Sequence, residues 1–277
     1  MTPDLAAVVV PVALASAFLH AAWNAGVKAA RDPQGAMAAQ VVASGLLSLP
    51  LLLVVPLPAA AALPWLAGSA VFNLLTMLAM LRGYASGGGF GFVYPLARAI
   101  SPLLVLLLAG ERVGGLAIAG IALVSGGVAL FAGGEGRRRP AALGWALLAG
   151  TLSAGYALCD AHGARASGSI AGYGLAVSMV NAISLGSFHR FRNRVRLLDA
   201  LRAHPRMATA GSSAAIGSYL LILWVWSHAP IAIGAALRDT SVVFAALLAI
   251  LLGERLTPVR LAAILLAVAG TVAIRFA

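Results

Sequence analysis

The sequence predicts an all-α integral membrane protein with ten transmembrane helices, arranged as two inverted repeats of five helices each. Three observations predict this fold class. First, hydrophobic residues make up 61% of the 277 residues and charged residues only 10%, whereas a soluble domain carries roughly 25% charged residues. Second, the mean hydropathy is +0.97, and ten apolar runs of bilayer-crossing length fill most of the chain. Third, the two halves of the chain resemble each other.

The ten apolar runs, called spans 1 to 10, are separated by segments rich in proline, glycine and arginine. Thr257 and Pro258 form a favourable N-cap and first turn for span 10. The first four residues include no basic residue, so we expect span 1 to be a retained helix and not a cleaved signal peptide. The predicted spans cover residues 5–27, 35–55, 63–82, 87–109, 113–132, 141–162, 170–188, 206–227, 230–252 and 257–276.

A shift of 143 residues places one half of the chain on the other and divides it into units 1–134 and 135–277. The shift aligns Glu111 with Glu254, each within a Gly-Glu-Arg triplet at a junction between two spans. Because each unit has five spans, an odd number, the second unit must cross the membrane in the opposite direction to the first. The predicted repeat is therefore inverted, as in many transporters.

Basic residues predict the orientation in the membrane. Fourteen lie on the side that carries the loops after spans 1, 3, 5, 7 and 9, and three lie on the other side: Arg112, Arg165 and Arg275. The positive-inside rule therefore places the basic loops in the cytoplasm and both termini outside, in the cell (inner) membrane. The net charge of +11 suits contacts with anionic membrane lipids, and we expect no nucleic-acid partner.

The connection between spans 7 and 8 carries apolar residues at helical spacing among arginines. These residues are Phe188, Phe191, Val195, Leu198 and Leu201. The pattern predicts a short basic amphipathic helix on the cytoplasmic membrane surface. An irregular basic loop is the alternative.

Two arginines lie within predicted spans. Arg98 is in the middle of span 4, where an arginine costs between about 3 and 17 kcal/mol, so it should face a water-filled cavity or a partner. Arg238, followed by Asp239, lies near the start of span 9. We hypothesise that both guanidinium groups bind a carboxylate or phosphonate of a substrate, with Asp239 balancing Arg238 or receiving a substrate amine. In the alternative, Arg238 and Asp239 form a structural ion pair and backbone carbonyls satisfy Arg98.

Other polar and aromatic residues within spans are candidates to line the same cavity. In span 1, Lys28 shares a helix face with the candidates His20 and Asn24, but we expect the Lys28 side chain to reach the membrane interface. Trp23 and Tyr156 have an alternative place in an aromatic belt. The complete set of predicted substrate-binding residues is Arg98, Arg238, Asp239, Tyr94, Asn24, Trp23, His20, Tyr156, Asn73 and Tyr219.

Three carboxylates have other predicted roles. Asp160 in span 6 is a candidate proton carrier, since removal from water favours the protonated form of a carboxyl group. His162, two residues later, is expected at the interface. Glu111 and Glu254 are expected to be structural, because a carboxylate at a helix junction can cap the next helix or pair locally with the adjacent arginine.

Enzyme and cofactor motifs are absent from the sequence. The glycine-rich stretch at 87–91 does not satisfy GxGxxG, since position 92 is Phe, and there is no P-loop or HExxH motif. Cys159 is the only cysteine, which excludes an intrachain disulfide and a cysteine zinc cluster. We therefore predict no enzyme activity, no cofactor and no metal, and transport that is coupled to an ion or substrate gradient.

Two pairs of motifs resemble the two EamA modules of the drug/metabolite transporter superfamily over nearly the whole chain. They are YPLARAISP at 94–102 with GER at 110–112, and DTSVVF at 239–244 with GERLT at 253–257. The resemblance implies a helix bundle with a central cavity and export or exchange of a metabolite. The motif HAAWN at 20–24 is also similar to a subgroup associated with phosphonate utilisation. Many relatives are thought to have cytoplasmic termini, whereas the charge count favours external termini for this chain.

These observations together predict a secondary transporter of a small anionic or zwitterionic metabolite, such as an amino acid or organophosphonate. It would work by alternating access, as a monomer or homodimer, around a cavity lined by spans 1, 3, 4, 6, 8 and 9. One alternative is a multidrug exporter of lipophilic cations, against which Arg98 argues. Another is a membrane-embedded enzyme or lipid flippase acting on anionic headgroups, which would need a lateral opening between helices.

Overall fold

The computed structural model describes residues 2–132, 139–251 and 256–277. Glu254, with the rest of its Gly-Glu-Arg triplet, and the junction at 134/135 between the two predicted units therefore lie outside the described residues. The α-helices run in chain order as α1 (Pro3–Ala29), α2 (Pro33–Leu51), α3 (Leu63–Gly83), α4 (Gly89–Leu108), α5 (Gly115–Leu130), α6 (Pro140–Ala166), α7 (Ile170–Phe191), α8 (Leu197–Ala203), α9 (Ser212–His228), α10 (Ile231–Asp239), α11 (Ser241–Leu251) and α12 (Pro258–Arg275).

Within the described ranges, every regular element is helical and nine helical stretches are long and apolar enough to cross a membrane. The stretch at 231–248 joins α10 to α11. Helix α5 is also apolar but has only 16 residues. The chain is thus an all-α, multi-pass membrane protein, as its composition predicts.

Polar residues before proline mark the starts of three helices, α1, α2 and α12. Asp32 Oδ1 accepts a hydrogen bond from the Gly35 N–H at 3.0 Å, and Pro33 occupies the first turn of α2. Thr257 Oγ1 accepts one from the Arg260 N–H at 3.3 Å at the start of α12. These bonds satisfy backbone donors that lack a partner within the helix. The predicted start of span 10 at Thr257 is therefore confirmed.

The main helix pairs join the two halves of the chain: α3 packs on α6, α1 on α9, α2 on α7 and α5 on α12. Small residues allow this close packing. A Cβ on Gly120 would lie 2.8 Å from the Gly270 carbonyl oxygen, and one on Gly127 would lie 2.7 Å from that of Ala263. Glycine therefore brings the backbones of α5 and α12 into contact, which stabilises helix pairs in lipid, where no hydrophobic force drives association.

The amphipathic helix predicted after span 7 is shorter in the structure than the sequence pattern indicates. Helix α7 continues to Phe191, and the chain then breaks at Arg194, whose φ of 56° is left-handed. Only Leu197–Ala203 forms the next helix, α8. Its buried Ala200 packs in one apolar cluster with Ala38 of α2, so tertiary packing positions α8 against the bundle.

Candidate functional site

A cavity of about 300 Å³ lies between the helices of the bundle. The structure brings nine of the ten predicted substrate-binding residues to its wall, and the tenth, Asp239, reaches it through its contact with Arg98. The volume is at the lower end of the range of small-molecule sites. The nine residues at the wall are His20, Trp23, Asn24, Asn73, Tyr94, Arg98, Tyr156, Tyr219 and Arg238.

Arg98 forms an ion pair across the two halves of the chain. Its Nη1 lies 3.1 Å from Asp239 Oδ1, and its Nη2 lies 3.2 Å from His20 Nε2. The guanidinium carbon lies 5.3 Å from the centroid of the Tyr94 ring. The side chains of Arg98 and Asp239 are 16% and 4% exposed. The charge of Arg98 is therefore balanced by a carboxylate and not by backbone carbonyls, and Asp239 pairs with Arg98 instead of Arg238.

Arg238 is a buried cation without a hydrogen-bonding partner for two of its nitrogens. The residue is 7% exposed, and its Nε and Nη1 find no acceptor in the part of the chain that the structure describes. Its guanidinium carbon lies 5.8 Å from the Tyr219 ring centroid and 5.7 Å from that of Trp226. Aromatic faces attract a cation but accept no strong hydrogen bond. Arg238 therefore lines the cavity as a cation that has no contacting counter-charge among the described residues, and its Nε and Nη1 are buried.

Arg238 and Asp239 lie at a break between two helices. Helix α10 ends at Asp239, and Thr240 Oγ1 donates a hydrogen bond of 2.6 Å to the Leu237 carbonyl before α11 begins at Ser241. The predicted span 9 is thus interrupted, with Arg238 and Asp239 at the interruption. Interrupted transmembrane helices form binding sites in many transporters because they place polar groups at mid-membrane depth.

Asp160 lies behind the cavity wall and is fully buried. The hydroxyl of Tyr173 donates a hydrogen bond of 3.3 Å to its Oδ1. Two other residues considered in the sequence lie away from the cavity. His162 stacks on Trp65 with ring centroids 4.9 Å apart, and Lys28 is exposed at the end of α1.

Glu111 connects distant segments at one end of the bundle. Its Oε1 lies 2.9 Å from Arg165 Nη1, and its Oε2 accepts a hydrogen bond from the Ile231 N–H at the start of α10. Arg165 also donates to the carbonyls of Trp226 at 2.8 Å and Ala229 at 3.0 Å. Glu111 therefore caps α10 and pairs with α6. The sequence predicts local pairing or capping of the next helix, α5, but α5 begins without a side-chain cap.

The cavity occupies the opposite part of the bundle. Its wall uses the C-terminal parts of α1, α3 and α7 and the N-terminal parts of α2, α4 and α9. These parts lead to the connections near 30–32, 84–88 and 192–206, which belong to the basic side of the predicted topology. The cavity thus extends from Arg98 and Arg238 towards the basic end, and the Glu111–Arg165 network lies at the other end.

Helices α2 and α7 also contribute to the wall, which the sequence patterns did not predict. Gln40 and Ser44 on α2 line the cavity, and Gln40 Nε2 donates a hydrogen bond of 2.9 Å to Ser44 Oγ. Asn181 on α7 accepts one from Asn73 Nδ2 at 3.0 Å. The available signal was an amide side chain within an apolar run, since burial of an unpaired amide is costly and such residues turn towards polar partners.

Comparisons with known proteins show the fold alone. No family model matches the sequence, and no curated protein matches it. A solved structure, described only as the crystal structure of a protein, matches 99% of this chain and 98% of its own, with a TM-score of 0.68 and 16% sequence identity. The helical arrangement of this chain therefore resembles that of a crystallised protein of similar length.

Proposed function

We propose that the protein is a secondary transporter of small anionic or zwitterionic metabolites, such as amino acids or organophosphonates. The single observation that carries the proposal is Arg238, a cation that lines a cavity of about 300 Å³ and has no contacting carboxylate among the described residues. A guanidinium binds carboxylate and phosphonate groups through paired hydrogen bonds. Arg98 and Asp239 neutralise each other nearby, so Arg238 supplies the net positive charge that an anion would meet.

The same proposal places the chain with the EamA-type members of the drug/metabolite transporter superfamily, as ten spans in two inverted units. Support comes from contacts that exchange under the shift of 143 residues. The contact of Gly120 with Gly270 corresponds to that of Ala263 with Gly127, and both are backbone contacts between α5 and α12. The packing of α3 on α6 corresponds in the same way to that of α9 on α1. A pseudo-twofold relation between the halves requires such reciprocal pairs.

Alternating access explains why the two ends of the bundle differ. The cavity extends towards the basic end, and the ionic network of Glu111 and Arg165 joins α4–α5, α6 and α9–α10 at the other. With the basic loops in the cytoplasm, this arrangement is an inward-facing state in the inner membrane. Rocking of the two halves would open the end held by Glu111 and close the basic end.

The test is ligand-dependent thermal stability of the purified protein in detergent. Wild type, Arg238→Gln and the exposed control Arg202→Gln are compared against amino acids, alkylphosphonates and lipophilic cations. A ligand that binds the folded state raises the melting temperature. We expect an anionic or zwitterionic ligand to stabilise wild type and Arg202→Gln, and Arg238→Gln to bind it at least about tenfold more weakly, as for loss of a charged hydrogen bond.

Stabilisation by lipophilic cations without stabilisation by anions would favour the multidrug exporter and overturn the proposal. Equal anion affinity of wild type and Arg238→Gln would overturn the role of Arg238. Transport itself is then measured as uptake of the stabilising ligand into proteoliposomes, where Arg238→Gln should be slower than wild type at ligand concentrations near the wild-type Kd.

A further inference from the structure

We infer that Asp160 is the centre of a second site, which binds a monovalent cation, either a proton or Na⁺, and thereby controls the affinity of Arg238 for the substrate anion. The coupling rests on the proposed function, because it names the ion that accompanies the substrate. The cation site itself can be tested without any substrate.

Unpaired oxygen atoms from three helices surround the site. Asp160 on α6 has no exposed surface, and its Oδ2 has no hydrogen-bonding partner among the described residues. The hydroxyls of Ser69 on α3 and Tyr219 on α9 interact with the same carboxyl group, but neither forms a hydrogen bond of good geometry with a described residue. Tyr156 also interacts with the carboxyl, and Tyr173 donates to Oδ1 at 3.3 Å. Buried polar atoms without a well-formed hydrogen bond are rare in folded proteins, so Asp160 Oδ2 and the two hydroxyls beside it can serve as oxygen ligands for a small cation.

The oxygen atoms around Asp160 indicate the charge of the ion that this site can bind. One carboxylate with neutral hydroxyl oxygens suits a hard cation. A divalent ion would retain a net positive charge in a dry interior, and no group of three His, Cys, Asp or Glu residues for a metal ion occurs in the described ranges. A monovalent ion gives a neutral site. A proton on Asp160 gives the same neutrality and allows the unpaired carboxyl oxygen to donate.

Among the described residues, no cationic side chain contacts the Asp160 carboxyl group. The ionisable groups that face Asp160 are Tyr156 and Cys159 on α6, Tyr173 on α7, Tyr219 on α9 and Arg238 on α10. Arg238 is the one cation among them, and it acts at longer range, since no ion pair joins it to Asp160 within 4.0 Å in the described structure. An ionised Asp160 would therefore be buried without a contacting counter-charge, which is unfavourable.

Two tyrosines connect this site to the cavity. Tyr156 and Tyr219 interact with the Asp160 carboxyl and also line the cavity wall, and the guanidinium of Arg238 lies over the Tyr219 ring. When Asp160 is ionised, its charge offsets that of Arg238 and weakens anion binding. When a cation neutralises Asp160, the charge of Arg238 is left for the substrate. Cation and anion then bind cooperatively, and each must raise the affinity of the other by the same factor.

The first experiment uses no substrate. We measure melting temperatures in detergent for wild type, Asp160→Asn and the exposed control Asp199→Asn. One series compares NaCl with choline chloride, which tests for Na⁺. The other varies the pH between about 5 and about 8, which tests for a proton on a buried carboxyl group. A cation that binds the folded protein stabilises it. We expect Na⁺ or acidification to raise the melting temperature of wild type and Asp199→Asn relative to Asp160→Asn. A response to Na⁺ identifies sodium, and a response to pH alone identifies the proton. Equal responses in wild type and Asp160→Asn would overturn the cation site.

A second variant covers the case in which Asp160→Asn does not fold. Ser69→Ala removes one hydroxyl oxygen and keeps the carboxylate. We expect it to weaken the Na⁺ response severalfold if the cation is sodium. If the cation is the proton, we expect it to enlarge the pH response, because the ionised carboxylate loses a neighbouring donor and binds a proton more readily. An unchanged response to both cations in a folded Ser69→Ala protein would contradict the proposed ligand set.

The coupling is measured as anion affinity. In wild type, we expect the cation to raise it by about 5- to 150-fold, the usual range of coupling between sites. Asp160→Asn should bind the anion with the higher affinity under all conditions, because its amide is neutral like the occupied carboxylate. An anion affinity that does not respond to the cation in wild type would contradict the coupling. Absence of any anion binding would instead overturn the proposed function, and the substrate-free measurement would still decide the cation site.

Discussion

The Glu111 carboxylate and the Arg165 guanidinium form an ion pair of 2.9 Å that joins the α4–α5 connection to the end of α6. The pair extends through hydrogen bonds to the Ile231 N–H and the Ala229 carbonyl on either side of the α9–α10 connection. The side chains of Glu111 and Arg165 are 21% and 34% exposed. The network therefore holds segments from both halves of the chain together at the end of the bundle away from the cavity.

We predict that Glu111→Gln opens this end more often, because it removes the ionic contact and preserves the shape of the side chain. The readout is labelling by a membrane-impermeant maleimide of Ala232→Cys, a position 1% exposed in the first turn of α10, in a Cys159→Ser background. Labelling should be several times faster in Glu111→Gln. The control Arg112→Gln changes the neighbouring exposed residue and should label at the original rate. Equal rates in all three proteins would show that the ion pair does not hold this end closed.

We predict that Asp239→Asn destabilises the protein by about 3–5 kcal/mol, the usual cost of removing one partner from a buried ion pair. Arg98 would retain its charge with His20 as its neighbour and no carboxylate in contact. The measurement is the free energy of unfolding in detergent. The double variant Arg98→Gln/Asp239→Asn should lose less stability than the sum of the two single variants, because neither charge is then left alone. Additive losses would contradict the ion pair.

We predict that Gly127→Ala destabilises the packing of α5 on α12. The added Cβ would lie 2.7 Å from the Ala263 carbonyl oxygen and 2.9 Å from the Ala267 nitrogen, so the helices must separate. Overpacking of this kind costs about 1–3 kcal/mol. The neighbouring Gly126 provides a matched control, since a Cβ there meets nothing within 4 Å. Gly126→Ala should leave the melting temperature unchanged or raised, and an equal loss in both variants would contradict the backbone contact.

We predict that both termini lie on the non-cytoplasmic side of the membrane, because the basic residues concentrate on the opposite side. A reporter that is active only outside the cytoplasm, fused after Ala277, should be active. A reporter that requires the cytoplasm should be inactive at the same position and active when inserted near Arg194 in the α7–α8 connection. The reverse pattern would show that the cavity faces the outside in this structure.

Local sequence predicted the helices better than it predicted their interruptions. The predicted spans overlap the observed helices because a long apolar run needs only its own backbone hydrogen bonds to be stable in lipid. Thr257 capped its helix as predicted, since the cap depends on residues within one turn. The break at Thr240 and the left-handed Arg194 were not predicted. A hydroxyl that bonds to a carbonyl three or four residues back also occurs in continuous helices, so Thr240 does not mark a break in the sequence.

The sequence by itself determined that this protein lies in a membrane and that Arg98 and Arg238 must face something other than lipid, because the cost of a buried charge follows from composition and position alone. Only the tertiary structure decided which arginine is neutralised. Asp239 is adjacent to Arg238 in the chain, yet it pairs with Arg98, 141 residues away. The physical reason is that an ion pair requires contact between side-chain atoms, and helix packing brings the Asp239 carboxylate within 3.1 Å of Arg98. Arg238 is left at the cavity wall without an ion-pair partner among the residues that the structure describes.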